Sequence, residues 1–234
     1  WRRVVALASA TAYTIASAGL DGALLIAGEV ASNAQKRIGL KLAEDLSGWN
    51  KLSADQLAAA YKKAVFDQEA VVLNEIATLR TVQELAPGEK VLADYLETLV
   101  SSLKSTLALN KANLAMALKA RTKALDVMVS DKIALTAEEK AASKVFPKST
   151  SLVKERGYGV LNSIPQELSK KYGLLKGTRL SLAHGDDIAK LTVSGDLSVL
   201  DIKKMQDAQF PDADSLSDIM RFMDLLKEAG LVAF

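Results

Sequence analysis

The side chains that could act as acids, bases or metal ligands lie mainly in the last third of the chain. His184 is the only histidine, so an imidazole base or a Ser-His-Asp triad would have to use it. It stands beside Gly185, in a polar stretch typical of a solvent-exposed turn. We therefore interpret His184 as a turn residue and predict no catalytic residue.

Two groups of aspartates could supply oxygen ligands to Mg²⁺ or Ca²⁺. One is Asp186 with Asp187, and the other is Asp212, Asp214 and Asp218. Neither has the ligand spacing of a calcium-binding loop. The second group is typical of turns and helix N-caps, where short acidic side chains accept backbone hydrogen bonds. We predict no metal site, and a carboxylate-dependent enzyme remains the last of three functional alternatives.

Composition excludes several other kinds of chemistry. The 30 basic and 28 acidic residues are interspersed and give a net charge of +2, which favours no nucleic-acid partner. Without cysteine there are no disulfides, thiolate zinc sites or thiol nucleophiles. No complete glycine-rich phosphate-binding motif is present, so we predict no cofactor. Apolar residues make up 49% but aromatic residues only 5%, which predicts a mainly α fold.

The most apolar stretch is residues 4–28, in which Asp21 is the only charged residue. Arg2 and Arg3 before it are typical of a secretory signal, but we interpret the stretch as a helix that the protein retains. Small residues recur at every fourth position and would let another backbone approach closely: Ala10, Thr14, Ala18 and Gly22. The helix is either packed inside the protein or placed in a membrane, where Asp21 would face a pore or a cationic partner.

A long helical hairpin follows. Ser53 and Gln56 form a capping box that starts one helix, and Pro87-Gly88 breaks the pattern. From Glu89 to Leu135 there is no proline or glycine, which predicts a second helix of roughly 45 residues and about 68 Å. A compact globule of this chain length would be only about 45 Å wide. The sequence therefore predicts an elongated antiparallel helical hairpin or bundle.

Leucines in the second helix recur at spacings of three, four and seven, as in a coiled coil. We interpret this seam as the partner-binding surface, formed by Leu92, Leu96, Leu99, Leu103, Asn110, Leu114 and Leu118. The polar Asn110 either fixes the register against a partner or marks a stutter in the repeat.

The C-terminal part changes character near Lys148, because glycines become frequent. Thr136 and Glu139 form a capping box for a helix that reaches about Val145. Strands are predicted at 178–183 and 188–194, joined by a turn at His184, and helices begin at Ser198 and Ser215. We predict three domains: an apolar helical segment (1–50), the long hairpin (51–147) and a small α+β or helical module (148–234).

These patterns favour a non-enzymatic structural or assembly subunit that presents a long helical rod to protein partners or to further copies of itself. A helical pore-forming or membrane-inserting protein, anchored through residues 4–28, is the first alternative. The compartment stays open, although association with a membrane or a large assembly fits both readings.

Overall fold

The computed structural model describes residues 2–177 and 179–234, apart from the side chains of residues 2–18, 154, 158 and 179. The described part is mainly α, with long helices that pack on each other and short antiparallel strand pairs towards the C-terminus, which confirms the predicted fold class. It divides into two compact units, the first ending at Asp131 and the second covering Lys132–Phe234.

The first unit is a three-helix bundle. Its helices are α1 (Arg2–Leu46), α2 (Ala54–Arg80) and α3 (Lys90–Leu125), with short 3-10 turns at Trp49–Lys51 and Thr81–Leu85. Helix α1 is broken at Gly19, whose φ of 57° and ψ of −149° lie outside the helical region. Helices α2 and α3 form the predicted antiparallel hairpin, as the ion pair between Arg80 and Glu97 near its closed end illustrates at 3.9 Å.

The ends of the hairpin follow from local chemistry. Gln56 Oε1 accepts a hydrogen bond from the backbone N–H of Ser53 at 3.1 Å, as expected of the predicted capping box. Gly88, with a φ of 81°, supplies the left-handed backbone that the turn between α2 and α3 requires.

Helix α3 is shorter than predicted, because it ends at Leu125 rather than Leu135. Asp126 adopts a left-handed backbone with φ 53° and ψ 46°, and the N–H of Val127 donates to the carbonyl of Thr122 at 3.1 Å. This is a helix C-terminal motif that usually contains glycine, but aspartate tolerates the same backbone. The 36 helical residues give a length of about 54 Å.

The core of the first unit is built differently on its two sides. Helix α1 contributes mostly alanines, each at most 6% exposed: Ala23, Ala27, Ala31 and Ala34. Helices α2 and α3 contribute larger side chains, including Val72, Ile76, Leu79, Leu92, Leu96, Val100 and Leu103. The alanines let α1 lie close to the hairpin, but they bury less apolar surface than the leucines do.

Among its described residues, the second unit has six short α-helices and two pairs of strands. The helices are α4 (Ala137–Ala142), α5 (Ser151–Arg156), α6 (Gln166–Lys171), α7 (Gly185–Lys190), α8 (Val199–Gln209) and α9 (Leu216–Glu228). The strands are β1 (Lys148–Ser149), β2 (Leu175–Lys176), β3 (Arg179–Leu180) and β4 (Val232–Ala233), with β1 pairing β4 and β2 pairing β3.

The predicted hairpin around His184 is wrong in position. Its turn residues begin α7, which runs from Gly185 to Lys190, and the observed hairpin of β2 and β3 turns at Gly177 and lies earlier in the chain. Asp186 and Asp187 occupy the first turn of α7, where carboxylates are favoured by the helix dipole.

Helices α8 and α9 carry most of the core of the second unit, through buried side chains such as Ile202, Met205, Ile219, Phe222 and Met223. Both begin at the predicted serines: Ser198 Oγ accepts from the N–H of Asp201 at 3.2 Å, and Ser215 Oγ accepts from the N–H of Asp218 at 3.1 Å. Gln206 in α8 is fully buried, and neither side-chain amide atom has a hydrogen-bond partner among the described residues.

Helix α4 belongs to the second unit, although the sequence pattern assigned residues 136–147 to the hairpin. Ala142 is fully buried, and the carbonyl of Val145 accepts a hydrogen bond from the N–H of Val199 at 2.9 Å. The change between units therefore falls in the extended segment after α3, ahead of the glycine-rich region that suggested a boundary near Lys148.

Candidate interaction surface

The leucine seam of α3 lies inside the bundle. Six of its seven residues are buried and the seventh is half-buried: Leu92, Leu96, Leu103, Asn110, Leu114, Leu118 and, half-buried, Leu99. They pack against helices of the same unit, so a partner helix could reach them only by displacing part of the bundle. The surface that α3 leaves free is on its opposite side.

A buried polar layer crosses all three helices at Asn110. The side-chain amide of Asn110 donates to Gln68 Oε1 at 2.9 Å, and Gln68 Nε2 donates to Asp45 Oδ2 at 2.9 Å. Because each group needs the others for its hydrogen bonds, a shift of one helix would leave buried polar atoms unpaired. Asn110 thus pairs within the chain, where it can hold the register of α3 against α2 and, through Gln68, against α1.

An ion network continues from this layer towards the surface. Lys41 Nζ lies 3.0 Å from Asp45 Oδ1 and 3.0 Å from Asp67 Oδ2, and both carboxylates are buried. Burial alone would lower the pKa of Lys41, but its hydrogen bonds with the two carboxylates outweigh burial and raise the pKa above its usual value. Burial raises the pKa of Asp45, which shares this one ammonium group with Asp67.

A second ion pair fastens α1 to α2. The guanidinium of Arg37 donates to both carboxylate oxygens of Glu75, with nitrogen-to-oxygen distances of 2.5 Å. The hydrogen bonds that Arg37 donates to Glu75 raise the pKa of Arg37. This bidentate geometry is the strongest form of side-chain ion pair and fixes orientation as well as distance.

Next to the ion network is a cleft of about 290 Å³ at the junction of α1 and α2. Charged groups line it together with the buried Trp49, and the carboxylate of Asp67 in its wall is bound by both Lys41 and Lys63. With their charges already compensated, these groups act as supports for the bundle.

The free side of α3 carries a second regular pattern, which we name the outer face. Its members follow each other at intervals of three or four residues and are all exposed: Asp94, Thr98, Ser101, Ser105, Ala108, Ala112, Met116, Lys119 and Lys123. Leu109 borders it, and Leu109 and Met116 are 61% and 60% exposed. Small and apolar residues thus form the middle of the outer face, and charged residues form its ends. In the sequence, this pattern is masked by the stronger periodicity of the leucine seam.

The residues of α1 that were predicted to pack against another helix lie on both sides of the break at Gly19. Ala10, Thr14 and Ala18 lie outside the described side chains, whereas Asp21 is exposed and Gly22 is half-buried. Among the described side chains of α1, the alanines that enter the core are Ala23, Ala27, Ala31 and Ala34. In the part of the chain that the structure describes, no helix is both long and apolar enough to cross a bilayer.

His184 joins two loops of the second unit. Its ring stacks on Phe210 with centroids 3.7 Å apart, and Nε2 lies 3.2 Å from Asp212 Oδ1. The carboxylate of Asp214 accepts hydrogen bonds from the N–H groups of Ala183 and His184 at 2.9 and 3.0 Å. These contacts hold the start of α7 against the loop before α9.

The aspartates considered as metal ligands have different structural roles and lie in different places. Asp218 lies in the first turn of α9, where hydrogen bonds from the hydroxyl of Ser215 and then from Arg221 lower its pKa. Asp186 lines a cleft of about 460 Å³ whose other walls are neutral side chains, including Leu161, Gln166 and Leu180. Among the described residues, no group of three or more histidine, aspartate or glutamate side chains is placed to hold a metal ion.

No protein-family model, curated protein or solved structure matches this chain. The contacts and exposed surfaces of the chain itself are therefore the basis for assigning its function.

Proposed function

We propose that this chain is a non-enzymatic structural or assembly protein that presents the outer face of α3 to a protein partner. The observation that carries the proposal is the exposure of Leu109 and Met116, at 61% and 60%, on the side of α3 that faces away from the bundle core. Apolar side chains that line one exposed face and are rimmed by charge are typical of protein interaction sites.

The construction of the bundle supports this role. The inner face of α3 is held by leucine packing, by the layer of Asn110 and Gln68, and by the ion pair between Lys111 and Glu69. A helix already fixed by its own core loses little conformational entropy when a partner binds its other side. The outer face is therefore a preorganised surface about 44 Å long between Asp94 and Lys123.

Photo-cross-linking in the source cells tests the proposal. A photoreactive amino acid replaces Ala112 in the middle of the outer face, and a matched variant carries it at the exposed Ala77 of α2. We expect a discrete protein adduct from position 112 and none of that mass from position 77. No adduct at 112, or the same adducts at both positions, would overturn the proposal.

Membrane insertion is a second candidate, favoured by the break at Gly19, which separates residues 2–18 from the part of α1 whose alanines enter the core. Release of dye from anionic liposomes tests it. Leakage should be lost when Ala10 and Thr14 are both replaced by lysine, because charges inside a bilayer are costly. The matched variant replaces the exposed Ala58 and Ala59 of α2 by lysine. Equal leakage from both variants, or none from the unaltered chain, would overturn this candidate.

A further inference from the structure

We propose that the partner of the outer face is a second copy of this chain, with the two α3 helices packed antiparallel about a twofold axis beside Ala108 and Leu109. This inference rests on the proposed function, because it names the partner of the same surface. It is carried by the distribution of charge and side-chain size along α3.

Charge is separated along the outer face. Between Asp94 and Lys123, the N-terminal end carries Asp94 and the C-terminal end carries Lys119 and Lys123, with no charged member between them. The exposed Lys90, one turn before Asp94, lies outside this stretch. In a parallel pair, Asp94 would meet Asp94 and Lys123 would meet Lys123, and like charges placed opposite each other destabilise a helix pair. In an antiparallel pair, each Asp94 meets the Lys123 of the second copy. Lys119 already pairs with Asp131 at 3.4 Å, so Asp94 and Lys123 supply the attraction between copies.

Side-chain size agrees with the same arrangement. When Asp94 is set opposite Lys123, the symmetry of an antiparallel pair also sets Ser101 opposite Met116, because both pairs share one midpoint. That midpoint lies between Ala108 and Leu109, so the axis is flanked by one small and one large residue from each copy. Met116 and Leu109 thus each meet a small residue, and Ser105 meets Ala112, which is also small, so the two helices can approach closely without clashes.

The expected dimer is modest in strength. A contact between single helices falls at the lower end of specific interfaces, about 1,200 Å² in total, and its affinity should lie in the micromolar range. The bundle contributes indirectly, since α3 is already ordered before the copies meet.

Charge reversal tests the arrangement by sedimentation equilibrium of the full chain. Asp94→Lys and Lys123→Asp should each weaken the dimer by about tenfold, because each turns two exposed attractions into two repulsions. The double variant, with both substitutions, should recover an affinity within about threefold of the original. Loss of affinity in the double variant, or a monomeric original chain at about 100 μM, would overturn the proposal. The fluorescence of the buried Trp49 verifies that the bundle stays folded in each variant.

Disulfide cross-linking tests the direction of the helices, and the chain is suited to it because it has no cysteine. Ala108→Cys places two thiols beside the axis, where their Cα atoms can approach to about 5.5 Å. Thr98→Cys places the two thiols about 32 Å apart in an antiparallel pair but side by side in a parallel one. We expect a linked dimer from position 108 alone, and linkage at position 98 would refute the antiparallel arrangement.

Cross-linking at Ala112 separates this inference from the proposed function. An adduct between two copies supports both. An adduct only with a different protein leaves the proposed function standing and overturns pairing between copies, and no adduct overturns both.

Discussion

Replacing Gln68 by leucine should test whether the polar layer holds the bundle together. Gln68 is fully buried and bridges α1 to α3, since Nε2 donates to Asp45 and Oε1 accepts from Asn110, both at 2.9 Å. Gln68→Leu keeps the approximate volume of the side chain and removes both bonds. The buried amide of Asn110 then loses the partner of its N–H group.

The expected cost follows from these two bonds. The bond to the carboxylate of Asp45 is worth about 1.5–3 kcal/mol, and the unpaired amide of Asn110 costs about 1–3 kcal/mol. Leucine returns about 1 kcal/mol through its larger apolar surface. The free energy of unfolding of the first unit should therefore fall by about 1.5–5 kcal/mol. Adding Asn110→Leu removes the unpaired amide and should recover about 1–3 kcal/mol of that loss.

Urea denaturation followed by tryptophan fluorescence measures the effect on the first unit alone. The chain has two tryptophans, so Trp1→Phe leaves the buried Trp49 as the only reporter, and the second unit contains none. The four variants of a double-mutant cycle then give the coupling between Gln68 and Asn110. A loss below about 0.5 kcal/mol in Gln68→Leu, or a double variant no more stable than the single one, would refute the role assigned to the layer.

Further predictions concern packing and titration. Leu114→Ala should destabilise the first unit by about 2–5 kcal/mol in the same urea assay, because Leu114 is 0% exposed, whereas Leu109→Ala on the outer face should cost less than about 0.5 kcal/mol when measured on the monomer. The raised pKa of Lys41 means that its contribution to stability is complete below its ordinary pKa of 10.5 and is lost as the pH rises through the higher folded value, so the stability difference between the original chain and Lys41→Met should shrink at alkaline pH. For Asp218, whose pKa is lowered, stability depends on pH in the opposite direction. Its contribution to stability is present above the ordinary pKa of 3.8 and is lost as the pH falls through the folded value. The melting temperature of the second unit should therefore be higher in the original chain than in Asp218→Asn, and this difference should shrink in acid. Gln206→Leu should raise the melting temperature of the second unit, because it removes a buried amide that has no partner, and an unchanged or lower value would contradict that reading.

The helical elements could be predicted from short-range chemistry. Ser53, Thr136, Ser198 and Ser215 were each identified as helix starts, and each precedes a helix in the structure. Such signals work because a serine or threonine oxygen satisfies backbone N–H groups within three residues, so the information is local. The same holds for the turn at Gly88.

The C-terminal end of α3 escaped prediction for a physical reason. Its left-handed residue is Asp126, and aspartate gives no signal as strong as glycine at this position. The prediction of a hairpin turn at His184 was wrong for a similar reason. A hairpin turn is favoured by Gly185, Asp186 and Asp187, but carboxylates are equally favoured in the first turn of a helix. Packing of Ile188 and Ala189 into the core accompanies the helical alternative.

The partners of the leucine seam could not be deduced from its periodicity. A seam has the same pattern whether it is covered by its own chain or by another protein, because both bury the same side chains. Asn110 illustrates this, since a buried amide needs a partner but its position does not say which one. Only the placement of Gln68 in α2 identifies that partner.

The alanines of α1 set an order in which the bundle can open. An alanine has three carbons fewer than a leucine, so each such position in the contact of α1 gives up about 2 kcal/mol of apolar burial relative to the leucines between α2 and α3. Local opening proceeds through the least stable cooperative element first. Amide hydrogen exchange should therefore show α1 losing protection before the hairpin does, with the hairpin as the last part of the first unit to exchange.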